Sequence, residues 1–278
     1  ALVLTLLALV VAGQQWRAPM QASYPMFSGL LVYDTFTIYL RLFLLSFTVL
    51  IIFLSLLTGI PDQEDSADFY CLLLGATLGM SIMASANHLL MVYIGVEMAS
   101  LPSYAMAGFL KGRRHSSEAA LKYVVYGGGA AGVMLYGMSL LAGKFGTAYL
   151  PDLVNFMNTT PLDPVVLLGS LFILVGVAFK LAAVPFHFWC PDVFEGAPAE
   201  VAAFLSVASK AAGFVALLEL VFVAFPSAKD VWQPLFWGLA ALPMTVGNLV
   251  ALRQTNIVRM FAYSSIAQAG YLLVGIVV

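Results

Sequence analysis

The sequence predicts an all-α polytopic membrane protein, and three features carry that prediction. Of 278 residues, 62% are hydrophobic and 9% are charged, against about 45–50% and about 25% in a soluble domain. Stretches 42–61, 123–143 and 231–252 contain no Asp, Glu, Lys, Arg or His, and about 20 apolar residues cross the hydrocarbon core as a helix. The period-2 alternation of a barrel strand is absent, and only helices and closed barrels satisfy their backbone in lipid. A water-soluble domain and a disordered chain are excluded. A net charge of −2 leaves no basic face for nucleic acid.

Taken in order, the first apolar run, 1–13, is too short to cross. It has neither an initiator Met nor a basic leader, so it reads as a span cut at its start rather than a signal peptide. The runs 42–61, 68–84, 88–110, 123–143, 165–188, 198–225 and 231–252 follow, and 260–278 stops at the chain end. This makes about nine segments in a single transmembrane domain, 1–278, with both ends reading as truncated. The connections are 17–34, 61–68 (PDQEDSAD), a corner at Asn87 and His88, 111–117 (KGRRHSS), 144–163, 226–230 and 253–259 (RQTNIVR). Loops 111–117 and 253–259 fall on one side and hold five Lys/Arg, against Arg17, Lys144 and Lys229 opposite. The positive-inside rule then puts loop 111–117 in the cytoplasm.

Several ionisable residues lie inside spans. Glu97 sits in MVYIGVEMASLP, Lys122 in SEAALKYVV, Lys180 in GVAFKLAAVPFHFW and Lys210 in AAFLSVASKAAGFVALL. Each charge at a helix centre costs about 2.5–3.5 kcal/mol, so Glu97, Lys180 and Lys210 together cost roughly 8–10 kcal/mol. That rivals the net stability of a typical fold, about 5–15 kcal/mol. Packing ion pairs and snorkelling are the structural explanations, and they suit Arg41 and Glu219 best. For Glu97, Lys180 and Lys210 an ion or proton pathway is the better reading. Glu97 and Lys180 are candidates for a switchable pair.

The stretch 164–194 is too long for one straight span and carries Pro185 and Pro191. In a helix these would leave the carbonyls of Leu181 and His187 unbonded. Such a break is tolerated only where it is buried or lines a wet cavity, and transporters build ion sites this way. His187, between the prolines, is a candidate proton relay, the alternative being a hydrogen-bonded core residue. Gly128 and Gly132 form a small-xxx-small pair suited to close helix packing. No P-loop, dinucleotide fingerprint, haem-spaced histidine pair or cysteine cluster occurs; Cys71 and Cys190 stand alone.

The strings NHLLMVYIGVEMASLPSYAMAGFLKGRRHSSEAALKYVVYGGGAA (87–131), GVAFKLAAVPFHFWCPDVFEGAPAEVAAFLSVASKAAGF (176–214) and GNLVALRQTNIVRMFAYSSIAQAGYLLVGI (247–276) resemble the N-subunit family of respiratory complex I. That family is also called NADH dehydrogenase subunit 2. PDVFEGAP and RQTNIVRMFAYSSIAQAGY favour it over the sister subunits L and M and over Mrp-type antiporters. The resemblance implies an antiporter-like bundle of about fourteen helices with a broken helix and two inverted five-helix repeats. The first repeat would span about 68–225, and the second would begin at 231 and be truncated. By the same resemblance, Glu97 and Lys180 match the family's carboxylate–lysine pair and Lys210 its central channel lysine. Lys122 matches a further lysine, and His187 the histidine of the broken helix.

The resemblance further implies a proton-translocating membrane subunit of NADH:quinone oxidoreductase with no redox centre and no cofactor of its own. Quinone, NADH, flavin and iron–sulfur centres would belong to partner subunits. Expected partners are the antiporter-like M subunit, small subunits such as K and J, and lipid. The expected location is the bacterial plasma membrane, with an organellar inner or thylakoid membrane as the alternative. The rival readings are an Mrp-type cation/proton antiporter subunit, a relative in a ferredoxin-driven or hydrogenase-type complex, and a structural membrane subunit without its own proton path. Two positions depart from the family pattern: Glu200 stands where Pro is expected in GAPxPV, and Glu219 where some relatives carry a basic residue.

Overall fold

The computed structural model describes residues 1–17, 23–61, 65–159, 163–225 and 229–277. The sequence-predicted loops 17–34, 61–68, 144–163 and 226–230 fall partly outside these residues. Among the described residues, eight helices are long and apolar enough to cross a membrane, and Leu2–Arg17 (α1) is a shorter apolar helix. The spans are Thr35–Thr58 (α2), Ser66–Met83 (α3), Leu89–Ala107 (α4), Arg114–Phe145 (α5), Pro164–Leu181 (α7), Ala199–Ala224 (α9), Trp232–Ala251 within Lys229–Ala251 (α10), and Ile257–Val277 (α11). Between them lie the short helices Leu150–Thr159 (α6) and Trp189–Gly196 (α8). The expected helical segments are all present.

Local chemistry sets the helix ends. Asp34 caps α2, accepting the Thr37 N–H and hydroxyl at 2.7 Å each. Gly59 ends α2 at φ 71, where its N–H reaches the Ser55 carbonyl, a geometry that glycine adopts without a Cβ penalty. Asp163 caps α7 through the Val166 N–H at 2.9 Å, with Pro164 in the first turn, where its missing N–H costs nothing. Within the spans, Thr48, Ser55, Thr77, Ser81 and Ser100 donate to the carbonyl four residues earlier. Their hydroxyls are thereby satisfied without water.

Two elements are additions to the expected architecture. An antiparallel hairpin pairs Tyr24–Met26 (β1) with Leu31–Tyr33 (β2), Tyr24 opposite Tyr33. Single bridges tie Leu31 to Ala86 and His88 to Tyr149. Helix α6 lies inside the expected loop 144–163 and buries Leu150, Leu153 and Met157. Both elements sit on the side opposite loop 111–117.

The predicted break is present at 182–188. Ala182 ends α7 in the left-handed region at φ 54, which costs a non-glycine residue about 1–2 kcal/mol. Only Pro185 belongs to the break. Pro191 lies in the first turn of α8, and the His187 carbonyl accepts the Cys190 N–H at 3.0 Å, so Pro191 interrupts nothing.

The glycine expectation is corrected as well. A Cβ on Gly128 or Gly132 would meet nothing within 4 Å, so neither makes a close helix crossing among the described residues. Close crossings are made elsewhere. A Cβ on Gly79 would stand 2.5 Å from the Ala99 nitrogen, and one on Gly95 2.8 Å from the Met83 nitrogen. These two glycines lock α3 against α4, the helix that carries Glu97. Replacing Gly79 with Ala should cost about 1–3 kcal/mol through overpacking and lower Tm measured by tryptophan fluorescence. Gly128→Ala should hold or raise Tm, since Ala gains about 0.8–1.0 kcal/mol of helix propensity. Equal effects at both positions would refute the assigned crossing.

Candidate functional site

Lys180, in the last turn of α7, is 1% exposed. Its ammonium donates to Ser100 Oγ at 3.0 Å, and Ser100 in turn donates to the Val96 carbonyl at 2.7 Å. Glu97, three residues before Ser100 on α4, is half-buried. About one helical turn separates it from Ser100, and it makes no direct ion pair among the described residues. The expected pair is therefore not in direct contact among the described residues, and Ser100, on the same helix as Glu97, holds the lysine.

Lys210 lies in α9, 11 residues after Ala199, about 16 Å along the axis, and is 5% exposed. Its ammonium donates to the Ser265 carbonyl at 2.7 Å and to Ser265 Oγ at 2.9 Å. Ser265 belongs to α11, so this contact joins the two parts of the chain expected to be separate repeats. A π-helical turn, Leu205–Ser209, immediately precedes Lys210; such turns recur at functional sites. One turn further on, Gly213 lies against Lys180: a Cβ there would approach Lys180 Cγ to 3.3 Å. The two lysines thus occupy neighbouring layers of one interior. Ser206, Lys210, Ser265 and Gln268 face a cavity of about 690 Å³ between α9 and α11.

Beside the break, four aromatic rings form a plug. Tyr123 stacks on Trp189 at 4.4 Å and meets Tyr104 edge-on at 4.6 Å, and Phe179 lies 5.3 Å from Trp189. Tyr123 Oη is buried and unpartnered among the described residues, as are His187 Nδ1 and Ser209 Oγ. Buried orphan polar atoms of this kind are where internal water binds. His187 packs beside Phe188 at 4.5 Å and makes no hydrogen bond to either lysine among the described residues.

Lys122 belongs to a different environment. It lies at the mouth on the loop 111–117 side, its side chain 37% exposed. It pairs with Glu118 at 2.8 Å and Asp192 at 2.6 Å, while Arg259 pairs with Asp192 and Glu195 at 2.7 Å each. These charges line a cavity of about 210 Å³ and tie α5, α8 and α11 together. Sequence reading missed Ser100, Ser265, the aromatic plug and this network, because each depends on residues far apart in the chain. Glu200 is 1% exposed; one carboxyl oxygen accepts the Thr58 hydroxyl at 2.5 Å and the other has no partner among the described residues. Arg41 donates to Gln15 Oε1 at 3.1 Å.

Asp192 stands outside the eight spans. Burial pushes its pKa up, but hydrogen bonds from Lys122 and Arg259 outweigh burial and hold the carboxyl below the usual range. A depressed carboxylate stabilises the fold above its unfolded value, about 3.9, and that contribution is lost as pH falls through the lower folded value. Asp192→Asn should lower Tm at pH 7 by about 2–4 °C. It should also flatten the acid limb of the Tm–pH curve. Superimposable curves for the two proteins would show that the network contributes nothing.

A family model described as "NADH:quinone oxidoreductase/Mrp antiporter, TM" matches residues 86–278. The chain is 44% identical over 270 residues to NAD(P)H-quinone oxidoreductase subunit 2 of Prochlorococcus marinus (strain MIT 9303), covering 97% of this chain and 51% of that one. It is 49% identical over 213 residues to NADH-quinone oxidoreductase subunit N of Moorella thermoacetica, covering 77% and 45%. A chain of respiratory complex I from Thermus thermophilus with bound aureothin superposes with a TM-score of 0.79 at 36% identity, covering 98% of this chain and 56% of that one. The chain spans about half the length of the curated relatives it matches.

Proposed function

This chain belongs to the NADH:quinone oxidoreductase/Mrp antiporter family of membrane proteins, and from that membership we propose that it is a proton-translocating, antiporter-like N subunit of an NADH:quinone oxidoreductase. The observation that carries the reading is the pair of buried lysines, Lys180 and Lys210, on neighbouring layers of one interior. Each ammonium is held by neutral oxygens, Ser100 for one and Ser265 for the other. An ammonium in a low-dielectric interior without a touching carboxylate gains little to offset its desolvation. It is therefore easily biased between charged and neutral by a charge a few ångströms away. Glu97 supplies that bias in this proposal.

Redox energy released in other subunits changes the Glu97–Lys180 coupling. Protons load from the cytoplasmic side, assigned to loop 111–117, pass the mouth at Lys122 and transfer along the mid-membrane lysines. Water at the orphan atoms of Tyr123, Ser209 and His187 would connect these groups. His187 acts as a relay only through such water. The proposed partners are the M subunit and small subunits such as K and J, and the redox cofactors and quinone site belong elsewhere in the complex. The proposed location is the bacterial plasma membrane.

The test uses the full-length protein in its assembled complex, reconstituted in vesicles. Lys210→Ala should cut proton uptake per NADH oxidised on the order of 10²-fold, the scale of losing a proton-transfer group. Lys122→Gln, at the exposed mouth, should have the smaller effect. Wild-type pumping by assembled Lys210→Ala complex would refute the role. Loss of assembly by every charge-removing variant would favour a purely structural subunit.

A further inference from the structure

A further cavity, about 800 Å³, shares no lining residue with the one beside Lys210 and lies between α1, the hairpin, α2 and α3. We propose that it binds one anionic phospholipid, its phosphate on Arg41 and an acyl chain in the groove below. This inference is independent of the proton-transfer reading.

The depth of the groove fits one leaflet. Arg41 lies six residues past the start of α2, about 9 Å, and Gln15 lies in the last turn of α1. Both therefore sit near the membrane boundary on the hairpin side. The Trp16–Tyr39 ring pair, with centroids 6.3 Å apart, marks the same level, as aromatic residues do at membrane interfaces. From there the groove runs inward along α3 from Ile82 to Leu74, about 12 Å of helix. Half of a ~30 Å hydrocarbon core is about 15 Å. The groove thus ends near mid-membrane, where an acyl chain of one leaflet ends.

The walls select an apolar guest. Val11, Leu45 and Leu78 line the groove. The hydroxyls of Thr77 and Ser81 on its α3 wall already donate to the carbonyls of Leu73 and Thr77. Nothing in the wall asks for a polar ligand. At the boundary end the demand is reversed. Arg41 makes a hydrogen bond to the neutral Gln15 and faces the Tyr33 ring at 6.0 Å, and no carboxylate forms an ion pair with it among the described residues. A guanidinium at headgroup depth with a neutral partner complements a phosphate, which its planar fork can engage with two N–H groups. The hairpin residues Met26, Phe27 and Leu30 line the same end. They stand in the way of a membrane-crossing helix laid along the groove, whereas a lipid chain can enter beneath them from the side.

The experiment is native mass spectrometry and thermal unfolding of the purified full-length protein with added lipid. Phosphatidylglycerol should remain bound through detergent stripping and raise Tm more than phosphatidylcholine of the same chain length. Arg41→Gln should erase that preference, and Arg41→Lys should retain part of it. Ala8→Phe, which fills the groove and leaves Arg41 in place, should lower retention of both lipids. Equal stabilisation by the two lipids in the wild type would overturn the proposal. So would a preference that survives in Arg41→Gln, or inorganic phosphate alone matching the lipid. A disulfide between Leu78→Cys and a helix of another subunit in the native complex would assign the groove to a protein partner and equally overturn it.

Discussion

A buried ammonium held by uncharged oxygens is the constraint around which this bundle is built. Lys180 and Lys210 are both removed from lipid and from bulk water, and each is met by a serine on a different helix. Neither contact is strong enough alone to fix a charge in oil. The surrounding structure must therefore bring several elements into one interior: α4 with Glu97 and Ser100, the end of α7 with Lys180, α9 with Lys210, and α11 with Ser265. The π-helical turn before Lys210 and the left-handed Ala182 are local departures from ideal helix beside the two lysines, and the glycine crossings hold α3 against α4. Gly213 shows how tight that interior is, since the stem of Lys180 lies where a side chain would otherwise be.

Charge is distributed by depth. At the mouth on the loop 111–117 side, Lys122, Asp192, Glu195 and Arg259 form direct ion pairs. Water reaches these groups, and such pairs cost little to form there. In the interior Lys180 and Lys210 are met by serine oxygens and make no direct ion pair among the described residues. Direct pairing with a carboxylate would hold the charge in place, whereas a neutral partner holds it less firmly. Structural rigidity at the rim and electrostatic softness at the centre are thus produced from one small set of side chains. The aromatic cluster of Tyr104, Tyr123, Phe179 and Trp189 packs beside the break.

The sequence was most informative where lipid imposes the rules. Span positions, the break after Lys180 and the costly placement of Glu97, Lys180 and Lys210 were legible because uninterrupted apolar runs and stranded charges have few alternative explanations. Partners were not legible. Ser100 and Ser265 are unremarkable serines until folding brings them to the lysines, 80 and 55 residues away in the chain. Likewise, Gly128 and Gly132 carry a packing spacing yet make no close helix crossing among the described residues, while Gly79 and Gly95 make one without a motif. Helix α6 and the hairpin escaped notice because short interfacial elements have too few residues for a periodic signal. Lys122 was read as intramembrane from its flanking residues, but α5 begins at Arg114 and carries it only to the rim.

The central claim is that the two interior amines change charge while the complex works. Selective ¹⁵N labelling of lysine side chains, with Lys180 and Lys210 assigned by substitution, allows their nitrogen resonances to be followed by solid-state NMR in bilayers. The account predicts that under steady NADH turnover both signals divide between ammonium and amine forms that differ from the resting distribution. Two unchanging ammonium signals, identical at rest and during turnover, would contradict it.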